Sequence, residues 1–105
     1  MIKWIDVGKV GEIADQEFKM VEVNEKPIAV FNLSGDYYAI EDNCPHQHMP
    51  IADGLVENDT ITCPYHGACF NLKTGELLAP PACDNLTTYP TKVVGETIQI
   101  GVNLT

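Results

Sequence analysis

The sequence predicts an all-β fold, a small antiparallel β-sandwich interrupted by an inserted subdomain. Three observations lead there. Short apolar or alternating segments recur along the 105 residues with turn residues between them. No segment sustains the 3.6-residue apolar period by which a helix buries one face. Residues 41–83 break the pattern, being rich in Pro, Gly and Asn, which marks a separate lobe between the strands on either side.

Taken in order, residues 18–23 read as a strand that turns at Asn24-Glu25-Lys26-Pro27. Residues 28–33 form an apolar run closed by Ser34-Gly35-Asp36, and residues 37–40 continue the meander. Loops this short join antiparallel neighbours, whereas a parallel pair needs a long crossover. Inside the lobe, residues 60–62 and 68–71 carry short strand signals. Near the C-terminus, Thr97-Ile98-Gln99-Ile100-Gly101-Val102 alternates, so one face is buried and the other wet. Residues 88–94 are its expected partner across a Gly95-Glu96 turn. The expected plan is a single domain, 1–105, with a base of 1–40 and 84–105 and a lobe of 41–83.

Composition narrows the function. Fifteen acidic residues against six basic ones give a net charge of −9, and all six bases are Lys. With no Arg there is no guanidinium fork for phosphate or guanine, and the net sign repels nucleic acid. No lysine falls between Pro27 and Leu72, whereas Asp36, Glu41, Asp42, Asp53, Glu57 and Asp59 do. For each residue alone this is a solvated acidic face; for the stretch it is a negative field that steers basic partners. No apolar run reaches the ~18 residues of a membrane span, and Met1-Ile2-Lys3-Trp4 runs into polar sequence without a targeting segment. The expectation is a cytoplasmic protein with reduced thiols. It is also expected to be a monomer.

Two blocks carry the chemistry. Cys44-Pro45-His46 and Cys63-Pro64-Tyr65-His66 are separated by 16 residues, and each offers one thiolate and one imidazole. Pro45 and Pro64 stiffen the chain beside the donors, Gly67 frees it to turn after His66, and Asp53-Gly54 suits a turn leading towards Cys63. A tetrahedral Cys2His2 zinc site uses the same donor types, although it usually pairs Cys with Cys and His with His. The pattern C-x-H-x16-C-x-x-H resembles the Rieske [2Fe–2S] family, in which two His replace two Cys on one iron. The resemblance implies that Cys44 and Cys63 hold one iron and His46 and His66 the other. It also implies a β-sandwich base with a cluster-binding lobe, the two His at its exposed tip. Ala79-Pro80-Pro81-Ala82-Cys83 would pack over the cluster as a lid, in wording close to the ferredoxins of aromatic-ring dioxygenases; on its own, a Pro-Pro pair is simply a rigid loop.

The neighbours of the ligands set the subtype. Respiratory members of the family carry an extra Cys in each ligand loop, joined as a disulfide; the matching residues here are Met49 and Tyr65. Those members also place a Ser and a Tyr whose hydroxyls reach the cluster, where this chain has Ala68 and Phe70. Without these hydrogen bonds, and among acidic residues, the expected potential lies low in the Rieske range, around −150 mV. Cys69 and Cys83 read as buried thiols, with a Cys69–Cys83 disulfide as the alternative. His48 reads as a neighbour of His46, and Gln47 and His48 depart from the Gly-containing loop of dioxygenase ferredoxins.

No nucleophile–base pair, open metal triad or phosphate loop is present in the sequence, so the chain is expected not to be an enzyme. The resemblance implies a soluble one-electron carrier between a flavoprotein ferredoxin reductase and a terminal oxygenase of the aromatic-ring dioxygenase type. Two alternatives stand beside it. One is a Rieske-like small subunit of a nitrite-reductase complex; the other is a zinc-stabilised binding module.

Overall fold

A computed structural model describes residues 2–43, 51–52, 54–63, 68–79 and 85–103. Among them are eleven strands and no helix, and hence no helix long and apolar enough to cross a membrane. The strands are β1 (Ile2–Lys9), β2 (Phe18–Val23), β3 (Lys26–Leu33), β4 (Asp36–Glu41), β5 (Leu55–Glu57), β6 (Thr60–Thr62), β7 (Cys69–Asn71), β8 (Leu77–Ala79), β9 (Thr88–Tyr89), β10 (Thr91–Val94) and β11 (Thr97–Asn103). They form three sheets, ordered β1-β11-β10, β2-β3-β4-β9 and β5-β6-β7-β8, and every pairing is antiparallel.

The apolar run of β3 is buried on both faces. Ile28 and Val30 share one core with Ile98, Ile100 and Val102 of β11 and with Tyr37 and Ala39 of β4. Ala29, Phe31 and Leu33 point the other way, into a second core with Ile61, Phe70 and Leu72. The period-2 alternation of a strand thus serves two layers at once. The expected sandwich is formed by the first two sheets, and the inserted segment supplies a third packed on the opposite side of β3. The polar member of the run, Asn32, is buried but satisfied. Its Nδ2 donates to Ile13 O at 2.8 Å, and its Oδ1 accepts from Gly35 N at 2.9 Å.

The segment expected to pair as one strand over 88–94 is two. Thr88 and Tyr89 pair with Ile40 and Ala39 of β4, whereas Thr91–Val94 pairs with β11. Pro90 makes the break, because it has no N–H to donate and its carbonyl accepts from Gly101 N at 2.8 Å. The chain crosses there from one sheet of the sandwich to the other. At the same corner, a Cβ on Gly101 would lie 2.8 Å from Ile2 Cγ2 and 2.9 Å from Pro90 Cγ.

β1, β5 and β8 were not anticipated. The apolar residues of β1 (Ile2, Trp4, Ile5, Val7) do not alternate, and its register with β11 shifts between Asp6 and Gly8. Beyond this strand Glu12 ties the chain back. Its two carboxylate oxygens accept from Lys9 N and from Lys19 Nζ, each at 2.8 Å. The Lys19 bond, then the Lys9 amide, hold the Glu12 carboxyl below the usual glutamate range.

Two outcomes follow. Phe31→Ala, which opens the second core at its centre, should cost about 3–5 kcal/mol in urea unfolding; a loss under about 1 kcal/mol would contradict the two-faced packing of β3. In an NMR titration Glu12 should ionise below the usual range and move up in Lys19→Met. Because the folded value is the lower one, this pair stabilises the fold above the unfolded glutamate pKa and stops doing so as pH falls through the folded one.

Candidate metal centre

The register of the third sheet gathers the segments that matter. Leu55 stands opposite Thr62, Thr62 opposite Cys69, and Cys69 opposite Ala79. The chain enters β5 at this row, leaves β6, enters β7 and leaves β8, so all four strand ends lie along one edge. Gly54 packs there against β6, where a Cβ would sit only 2.0 Å from Thr62 O. Its N donates to Ile51 O at 2.9 Å. The glycine is needed here for close backbone approach.

Three segments attach along that edge; the first two are closed there, and the third returns alongside β8. Asp42 Oδ1 accepts from Ile51 N and from Ala52 N, both at 2.7 Å. Cys63 N donates to Ala68 O at 2.7 Å. Asn85 Oδ1 accepts from Leu77 N at 2.9 Å, and Leu86 N donates to Gly75 O at 2.8 Å. Gly75 adopts φ +78°, and a Cβ there would come within 2.4 Å of Leu86 O, so two constraints demand glycine. Ile51, Ala52, Cys63, Ala68 and Leu86 all belong to the second core. The bases of the three segments are therefore set in one apolar block.

Of the four donors named from the sequence, the structure describes Cys63. It follows β6 directly and is 2% exposed. Cys44, His46 and His66 lie outside the described residues, as do Pro45, Gln47, His48, Met49, Asp53, Pro64, Tyr65, Gly67, the 80–84 segment and with it Cys83. Among the described residues no three His, Cys, Asp or Glu side chains gather as a metal site. The described part fits a metal centre on two counts. A thiol enters from a buried apolar core, and the attachment points of both Cys/His blocks share one edge. Ala68 and Phe70 are fully buried, so these positions present a methyl and a phenyl with no hydroxyl. Cys69 is half-buried, its Sγ 3.4 Å from Thr62 Oγ1; the question of a Cys69–Cys83 bridge falls outside the described residues.

The lysine-free stretch is less free than its composition suggests. Glu41 meets Lys26 at 3.8 Å and Asp59 meets Lys73 at 3.4 Å, since strand pairing returns both lysines to it. Lys73 also lies 5.7 Å from the Tyr38 ring centroid, and Asp59 together with Tyr38 raises its pKa. Asp42 is taken by backbone amides. Among the described acids of the stretch, Asp36 and Glu57 remain outside these pairings. Sequence reasoning counted Asp42 only as a charge; its position two residues before Cys44 was the one available signal.

The chain matches the Rieske [2Fe-2S] domain over residues 3–90. It is 45% identical over 86 residues to the 3-phenylpropionate/cinnamic acid dioxygenase ferredoxin subunit of Shigella boydii serotype 4 (strain Sb227), covering 80% of this chain and 81% of that protein. The protein of the same description from Escherichia coli (strain K12) gives the same identity and coverage. Among solved structures, the Sphingomonas yanoikuyae B1 ferredoxin is similar with a TM-score of 0.87 at 25% identity, over 96% of this chain and 100% of that one. A chain in the complex of reduced oxygenase and oxidized ferredoxin in carbazole 1,9a-dioxygenase is similar with a TM-score of 0.86 at 28% identity, over 92% and 91%.

Gly54→Ala should force β5 away from β6 and destabilise the protein by about 1–3 kcal/mol or more, measured by urea unfolding. A variant as stable as wild type would show that this edge is not tightly packed.

Proposed function

Because the chain belongs to the Rieske [2Fe–2S] domain family, we propose that Cys44 and Cys63 hold one iron of its cluster and His46 and His66 the other. The cofactor is one Rieske-type [2Fe–2S] cluster, which when bound takes up and returns a single electron. The division into a base of 1–40 and 84–105 and a lobe of 41–83 belongs to the same reading. The chain is an electron-transfer component and not itself a catalyst. We place it in the cytoplasm, where it receives electrons from a flavoprotein reductase and passes them to the terminal oxygenase of an aromatic-ring dioxygenase system.

The observation that carries this role is the 45% identity, over four-fifths of the chain, to a dioxygenase ferredoxin subunit. The site residues are in keeping with it. Cys63 keeps its sulfur buried, which would protect a metal–sulfur bond from solvent. Ala68 and Phe70 donate no hydrogen bond to sulfur, so nothing at these two positions stabilises added negative charge. Net charge adds to the effect, because a chain at −9 resists a further electron. The last two favour a low potential.

The purified protein should be red-brown and give a Rieske-type EPR signal on reduction. Cys63→Ser and His66→Ala should abolish that signal, and His48→Ala should keep it. Voltammetry should place the midpoint near −150 mV, and Ala68→Ser should raise it. A midpoint above about +100 mV would refute the low-potential reading, and a colourless protein with one tightly bound zinc would refute the ligand assignment. Reduction by a flavoprotein reductase, followed by oxygenase turnover, tests the role itself.

A further inference from the structure

The first ligand segment differs from the second in how it is closed. Across residues 64–67 the backbone closes itself, Cys63 N to Ala68 O. Across residues 43–50 the described closure is one carboxylate oxygen, Asp42 Oδ1, shared by two consecutive amides. This segment is also the longer, so free ends there would lose more order. We infer that Asp42 is a positioning residue for the cluster, fixing the two ends of the segment that carries Cys44 and His46. The inference rests on the ligand assignment above.

Three features support it. Both bonds are 2.7 Å long, at the short end of the N–H···O range. The amides belong to Ile51 and Ala52, which are 0% and 4% exposed, so water is poorly placed to replace the carboxylate. Asp42 is itself anchored, because its N donates to Pro27 O at 2.8 Å and so ties it to β3. One residue, Asn43, separates this anchor from Cys44. Two residues of chain reach at most ~7 Å, so a shift at Asp42 is passed to the thiolate with little slack. The role needs an acceptor oxygen in this place, and an asparagine carbonyl can supply it.

The test uses the cluster-loaded protein and compares wild type with Asp42→Ala, Asp42→Asn and the surface control Asp36→Asn. The readouts are the EPR line shape of the reduced cluster and the rate at which an iron chelator bleaches the visible spectrum. Asp42→Ala should bleach about 10–100-fold faster, as loss of a supporting bond to a metal ligand typically does, with a broadened EPR signal. Asp42→Asn should keep the wild-type line shape and bleaching rate, as should Asp36→Asn. The inference fails if Asp42→Ala matches wild type in both readouts. It fails equally if Asp42→Asn behaves like Asp42→Ala, because charge and not position would then be at work. Should Asp42→Ala not accumulate folded, Asp42→Asn decides alone: wild-type behaviour sustains the inference and a broadened signal overturns it. A wild-type protein without a Rieske spectrum overturns the ligand assignment and this inference together, whereas a normal wild type with an unaffected Asp42→Ala removes only this one.

Discussion

Everything at the metal-binding end depends on β3 being buried on both faces. β5, β6, β7 and β8 are three residues each, too short to hold together as a free sheet in water. What holds them is the second core, where Ile61, Phe70 and Leu72 meet Ala29, Phe31 and Leu33. Each large apolar side chain buried there contributes roughly 1.5–3 kcal/mol relative to exposure. Cys63 and Ala68 belong to the same block. Loosening the block would therefore loosen a proposed ligand directly. In the other direction β3 is fixed by the sandwich core, so the sandwich acts as a rigid mount for the third sheet.

This arrangement explains which parts of the fold the sequence revealed. The run over 28–33 read as a strand because burial on both faces needs continuous apolar residues. β11 read as a strand because its alternation is clean, although the face expected to be wet is only partly so, with Thr97 and Gln99 half-buried and Gly101 buried. β1 gave no such signal, since a register shift breaks its alternation and its partner, β11, lies at the other end of the sequence. β5 and β8 were hidden by brevity. The split at Pro90 was legible in principle, because a proline inside an apparent strand marks an edge or a break. At the site, chemistry made the proposed donors legible: few residue types bind iron, and the spacing of these is specific. Asp42 was not legible as more than a charge, because its partners are backbone amides nine and ten residues away, and any sequence carries those.

Charge shows the same contrast between composition and structure. The acidic stretch looked uniform, yet folding returns Lys26 to Glu41 and Lys73 to Asp59. Exposed pairs like these add little stability. They leave the net charge of −9 unchanged, and what they alter is the local field around Glu41 and Asp59.

The hydrogen bonds at this edge divide in a way that bears on electron transfer. Asp42, the Cys63 amide and Asn85 all direct theirs to the bases of the three segments. Ala68 and Phe70, both fully buried, provide only apolar wall. Among the described residues the polar groups at this edge hold the chain in place. A support of this kind fixes where a ligand stands, whereas burial and the net charge of −9 act on how readily an electron is added.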